Sequence, residues 1–152
     1  MSANAERTFI MVKPDGVQRR LGGEIMARFE RRGFKMLACQ LMRPSEELLK
    51  EHYASLAHLP FFPHMIKFMG SGPVLAMVFQ GKAAVKTGRM MLGATNPLDS
   101  AAGTVRGDYC LDVGRNICHG SDTVENAERE IAMWFPNGVL DYQTPVDELI
   151  YE

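Results

Sequence analysis

The chain has few of the residues that would cross-link a small fold or take it out of water. Its 152 residues include three cysteines, Cys39, Cys110 and Cys118, far apart, odd in number and without a Cys-x-x-Cys pair. That excludes a disulfide framework and predicts a reducing, cytoplasmic setting in which the cysteines mostly fill core space. No apolar run exceeds the six residues Val74 to Phe79, too short to span a bilayer, so no membrane partner is expected. Met1 to Arg7 lacks the apolar stretch of a secretory leader. Neither sign of charge prevails, with 17 Lys and Arg against 18 Asp and Glu, which argues against nucleic acid as the main partner. Repeats, low-complexity tracts and the Gly-x-x-x-x-Gly-Lys-Ser/Thr phosphate loop are also missing.

What is present is ordinary globular material, 46% hydrophobic and 23% charged, at a length that predicts one domain over 1–152. Charge is unevenly spread: residues 1–43 carry nine basic and four acidic groups, residues 113–152 two basic and eight acidic. Thr8 to Val12 reads as a buried strand, stopped by a Lys13-Pro14-Asp15-Gly16 turn. Leu21, Ile25 and Phe29 recur at four-residue spacing, with Glu24 and Arg28 paired and Gly33 as a stop, which predicts an amphipathic helix. A strand over Phe34 to Met42, a short helix from Ser45 through Tyr53 and helical turns over Ile66 to Met69 follow. Val74 to Phe79 then reads as a strand and Ala83 to Met91 as a helix. Residues 92–118 read as a long glycine-rich loop, a feature that usually carries function. A short strand at Ile117 to His119 precedes a helix opened by Asp122-x-x-Glu125, with Val124, Ala127, Ile131 and Trp134 on its apolar face. Helices alternating with short strands predict helices packed on a mostly antiparallel sheet, in the α+β or α/β class.

Asn116 to Asp122 carries the most chemical information. His119 ends a strand just before a glycine and a helix start. Neutral imidazole is a nucleophile near pH 7, and helix N–H groups favour anions. A capped, hydrogen-bonded structural histidine is the competing reading. Arg89, Arg106 and Arg115 lie around the same loop with Thr95, Thr104 and Asn116, and Lys13 ends the first strand. Guanidinium forks suit phosphate oxygens, so the set points to phosphate chemistry. His52, His58 and His64 stand six residues apart, which does not suit a metal site. Cys118 and His119 are strand neighbours pointing to opposite faces, so they form no nucleophile–base dyad.

Several segments together carry a resemblance. Lys13-Pro14-Asp15-Gly16-Val17-Gln18-Arg19, Tyr53, Pro60-Phe61-Phe62, Ser71-Gly72-Pro73, Thr87-Gly88-Arg89, Thr95-Asn96-Pro97, Arg106-Gly107-Asp108 and Asn116 to Asp122 closely resemble the nucleoside diphosphate kinase family, from about Arg7 to Glu152. The resemblance implies a ferredoxin-like βαββαβ antiparallel sheet covered by helices, with an additional long loop and C-terminal segment. It implies ping-pong transfer of a γ-phosphoryl group from a nucleoside triphosphate, typically ATP, to a nucleoside diphosphate through phospho-His119. By the same resemblance Phe61 and Val113 clamp the base, and Lys13 and Asn116 bind sugar hydroxyls, Lys13 also reaching the phosphates. Arg89, Thr95 and Arg106 hold the phosphates, Tyr53 borders the transferred group, and Glu130 with Ser121 orients the imidazole. Mg²⁺ arrives on the nucleotide phosphates, and the Pro97 loop and C-terminal segment imply a homohexamer, a trimer of dimers. The alternative is a nucleic-acid-binding or signalling module on the same fold, to which Arg32-Gly33-Phe34 gives only the start of an RNA-recognition signature.

Overall fold

The computed structural model describes residues 2–152. Its centre is β1 (Arg7–Val12), which pairs antiparallel with β3 (Val74–Gln80) on one side and β4 (Cys118–Gly120) on the other. The edge strand β2 (Lys35–Met42) pairs antiparallel with β3, giving the order β2-β3-β1-β4. This is the expected α+β antiparallel sheet, with the βαββαβ order enlarged by two helices between β2 and β3. Between β1 and β2 lie α1 (Pro14–Gln18) and α2 (Gly22–Arg32); between β2 and β3 lie α3 (Glu46–His52) and α4 (Phe62–Met69). α5 (Ala84–Leu92) and α6 (Val105–Tyr109) precede β4, and α7 (Val124–Trp134) and α8 (Asp147–Ile150) follow it.

The central strands read as unbroken apolar runs because both sheet faces are covered. Ile10 and Val12 pack with Ile25 and Phe29 of α2 and with Ala84 and Leu92 of α5. Phe9 and Met11 pack on the other face with Leu49 of α3, Ile66 and Met69 of α4, and Ile131 and Trp134 of α7. The edge position of β2 leaves Cys39 exposed, whereas Cys110 and Cys118 are buried as expected of core fillers. Gly33, at φ 111°, closes α2 in the left-handed conformation, and Ser45 caps α3 by accepting from the Leu48 N–H.

Three local expectations are corrected. Lys13 to Gly16 is not a free turn: Pro14 opens α1, where its missing N–H costs nothing. Residues 92–118 are not structureless, since two 3₁₀ turns (Pro97–Asp99 and Val113–Arg115) and α6 occupy them. Asn96, Thr104 and Asp112 each start one of these by accepting a backbone N–H. The cap of α7 is Thr123 rather than Asp122, and Val124 faces solvent while Ala127, Ile131 and Trp134 are buried. After α7 the chain returns to the sheet. The Leu140 N–H donates to the Leu37 carbonyl at 3.2 Å, and the Tyr142 hydroxyl to that of Met36 at 2.6 Å.

Candidate active site

β4 is only three residues long, and its register decides what each presents. His119 is paired with Met11 and so shares the face carrying α3, α4 and α7, whereas Cys118 is buried in the opposite core. The His119 Nε2 lies 2.9 Å from Glu130 Oε2, one face of α7 bringing the carboxylate to the ring. The Ser121 hydroxyl donates to Glu130 Oε1 at 2.6 Å. Both oxygens of Glu130 are therefore engaged, at 4% exposure. Burial opposes ionisation there, but the hydrogen bond and charge of His119 and the hydrogen bond of Ser121 outweigh it and hold the carboxyl below its ordinary range. A carboxylate accepts at Nε2, so that nitrogen carries the proton and the lone pair of a neutral ring is on Nδ1. Among the described residues Nδ1 has no protein partner, and the side chain keeps partial access to solvent.

Cationic groups flank this ring along the chain. The exposed Arg89 donates to the Gly120 carbonyl at 3.0 Å. Buried Arg106 donates to the carbonyls of Asn116, Gly93 and Cys118, which fixes its guanidinium beside β4. Lys13 donates to Asn116 Oδ1 at 2.9 Å, and the Asn116 amide donates to the Thr95 carbonyl at 2.9 Å. Burial and the Arg106 guanidinium pull the Lys13 ammonium below its usual range. Tyr53 ends α3, and burial followed by the Glu130 charge pushes its phenol up. Phe61 and Val113 are both exposed, and Arg115 lies over the Phe68 ring at 4.1 Å, tying the Val113 turn to α4.

The Lys13–Gly16 motif has a second task. Ile117 is β-branched yet adopts φ 60°, a strained conformation for such a residue. It is clasped from both sides: the Lys13 N–H donates to its carbonyl at 2.8 Å, and its own N–H donates to Asp15 Oδ2 at 3.1 Å. A Cβ at Gly16 would stand 2.6 Å from Val12 Cγ1 and 2.8 Å from the Ile117 carbonyl oxygen. Gly16→Ala should thus cost about 1–3 kcal/mol of folding stability, because neither neighbour can retreat without moving the clasp. Urea unfolding measures it, and a midpoint equal to the parent's would contradict the clasp.

The sequence did not single out His52. It is buried beside His119, with Nε2 3.4 Å from Glu130 Oε2 and Nδ1 3.0 Å from the indole nitrogen of Trp134. Its ligand atom and those of His119 and Glu130 lie within 4.8 Å of one another, close enough for a metal ion by distance alone. The indole N–H can only donate, so the His52 lone pair is at Nδ1 and Nε2 carries a proton, which disqualifies Nε2 as a ligand. The only sequence signal was the i to i+4 placement of Glu130 and Trp134 on one face of α7. His58 and His64 are exposed, and neither is in this group.

A strand-end imidazole fixed through one nitrogen by a buried carboxylate, with Arg89 and Arg106 bonded to the carbonyls on either side of it, belongs to an α+β fold whose site suits chemistry on an anionic group. Comparison with known proteins narrows the class. Residues 6–139 match the family described as nucleoside diphosphate kinase. The chain is 60% identical over 151 residues to nucleoside diphosphate kinase A 2 of Bos taurus, with 99% of each chain covered. The solved nucleoside diphosphate kinase of Halobacterium salinarum, in complex with CDP, is 47% identical with TM-score 0.94, covering 97% of this chain and 99% of that one. The apo enzyme of Encephalitozoon cuniculi is 49% identical with TM-score 0.93, covering 96% and 99%. The chain belongs to the nucleoside diphosphate kinase family, and it is a nucleotide-binding phosphotransferase.

Proposed function

We propose that the γ-phosphoryl group of a nucleoside triphosphate passes through Nδ1 of His119 to a nucleoside diphosphate. The Nδ1 lone pair forms the N–P bond as the bond from phosphorus to the β-phosphate oxygen breaks, and the diphosphate leaves with that electron pair. Glu130 holds the Nε2 proton and balances the positive charge that grows on the ring, and Ser121 holds Glu130. The observation that carries this reading is the 2.9 Å contact between Nε2 and Glu130, which commits one nitrogen and frees the other. Lys13, Arg89, Thr95 and Arg106 neutralise and position phosphate oxygens, which is most of what a loose phosphoryl-transfer transition state needs. Lys13 and Asn116 take the sugar hydroxyls, and Tyr53 borders the transferred group.

The nucleotide enters as its Mg²⁺ complex. The rim is cationic and Glu130 is fully engaged, so the ion rides on the phosphates rather than in a protein cage. We place the chain in the cytoplasm as one functional domain of a homohexamer, a trimer of dimers. Among the described residues no helix is long and apolar enough to cross a membrane. Leu98, in the turn opened by Pro97, and Leu149 in α8 are exposed apolar groups in the two segments assigned to assembly. Initial rates at varied ATP and fixed levels of an acceptor diphosphate test the double displacement. Parallel double-reciprocal lines are expected, and lines that intersect would contradict it.

Base recognition should be broad. An exposed Phe61 face and Val113 offer stacking and apolar contact without hydrogen-bond readout. Such stacking is worth about 1–3 kcal/mol for any base. The common ribo- and deoxynucleoside diphosphates are expected to be phosphorylated at rates within about a thousandfold of one another, and a wider spread in a competition assay would count against this site.

A further inference from the structure

His52 and Trp134 complete a chain of contacts whose near end is the Glu130–His119 pair. His52 is 5% exposed, at the end of α3. Its ring lies edge-on to His119 at 4.7 Å and to Tyr53 at 4.5 Å. The Trp134 indole N–H donates to Nδ1, so a neutral His52 ring has its proton on Nε2, facing Glu130 Oε2. Trp134 therefore selects the tautomer. Charged and titratable groups face this ring from every side: His119 on β4, Glu130 and Arg129 on α7, Lys13 after β1 and Tyr53 after α3. Burial, then the charges of His119, Arg129 and Lys13, outweigh the opposite pull of Glu130 and lower His52 to about 3.

We propose that His52 is a positioning residue: its uncharged Nε2–H, set by Trp134, is a second donor to Glu130 Oε2. It holds that oxygen against the Nε2–H of His119 and leaves Nδ1 of His119 facing the phosphate. This rests on His119 being the phosphoryl carrier. Ser121 on Oε1 and His119 on Oε2 each hold the carboxylate by a hydrogen bond, and His52 Nε2 stands 3.4 Å from Oε2 on the remaining side, so rotation of the carboxylate would disturb all three contacts. At 3.4 Å the His52 contact is longer than the two hydrogen bonds, a polar contact that steers an oxygen already bound elsewhere. A second imidazole that could take the proton would compete with His119 for Glu130 at the moment the His119 ring becomes cationic. An uncharged one turns an N–H toward the carboxylate without that competition.

A residue that merely filled space and accepted from Trp134 could be replaced by asparagine, whose side-chain oxygen sits level with Nδ1. The proposed role instead needs an N–H level with Nε2, which glutamine supplies. Single-turnover phosphorylation by ATP is measured in the parent, His52→Asn and His52→Gln. His52→Asn is expected to slow the step at least about tenfold, His52→Gln to stay within about threefold, and nucleotide KM to move less than about twofold in either, since a small misplacement acts on the chemical step. An asparagine variant at parental rate, a glutamine variant as slow as asparagine, or an effect confined to KM would each overturn the proposal. Should neither variant fold, long-range ¹⁵N–¹H imidazole spectra of the parent decide it. His52 protonated on Nε2 and unprotonated on Nδ1 from pH 8 to pH 5 supports it, and the other tautomer or a cation overturns it. Failure of the parent itself to phosphorylate His119 would instead remove the phosphohistidine reading.

Discussion

His119→Ala is expected to lose phosphoryl transfer by about five orders of magnitude while keeping nucleotide affinity within a few-fold of the parent. The size follows from removing the nucleophile outright: the remaining site can still position phosphates, but no group is left to accept the phosphoryl. Affinity is expected to be spared because the ring lies outside the base and sugar clamp proposed above. Lys13, Asn116, Arg89 and Arg106 bond to one another or to backbone carbonyls rather than to the imidazole. Coupled-assay turnover and equilibrium binding of ADP together check it. A variant with parental turnover would end the covalent mechanism, and one that no longer binds nucleotide would give His119 a structural role instead.

The second large effect is on stability in acid. In the fold His52 takes a proton only at about pH 3, whereas an unfolded histidine takes it near 6.5. Between those values the unfolded chain binds the extra proton. The stability contributed by His52 is thus fully present above about pH 6.5, and it falls by about 1.4 kcal/mol for each unit down towards 3. Glu130 acts with the same sign in a lower window: its carboxyl is held below its ordinary range, so its contribution is lost as the pH drops from that range through its lowered value. Urea unfolding of the parent and His52→Asn at pH 7, 6, 5 and 4 reads the difference. The variant is expected to lose stability more slowly with acid, by about one proton's worth of slope. Identical slopes would mean that His52 is not held neutral.

What could be read from the sequence depended on how many residues shared a signal. β1 and β3 were legible because covering both faces of a central strand leaves an uninterrupted apolar run, and α2 because four-residue spacing ended at a glycine. α1 was not, since Pro-Asp-Gly suits a turn and a first helical turn equally well. The helices within residues 92–118 have almost no apolar period. Their only signature is a side-chain cap followed by Pro or Gly, seen at Asn96-Pro97, Thr104 to Gly107 and Asp112 to Gly114. The site divides the same way. The cations and His119 were visible as a cluster of residue types, but the reach of Glu130 rested on the family resemblance until α7 was seen packed against β1. His52 was invisible because nothing local links it to His119. The β2–α3 connection and the antiparallel sheet bring them together, and the tautomer that gives His52 its role is set by Trp134 on yet another element.

The state of the imidazole during turnover is the centre of the account, and one labelling experiment reads it directly. The protein is incubated with Mg²⁺ and γ-³²P-ATP without an acceptor, digested in base, and its phosphoamino acids are separated. One acid-labile, base-stable phosphate per chain, recovered as Nδ1-phosphohistidine from the peptide containing His119 and discharged by added nucleoside diphosphate, is the expected result. Label recovered on Nε2, on Ser121, or not retained by the protein at all would contradict it.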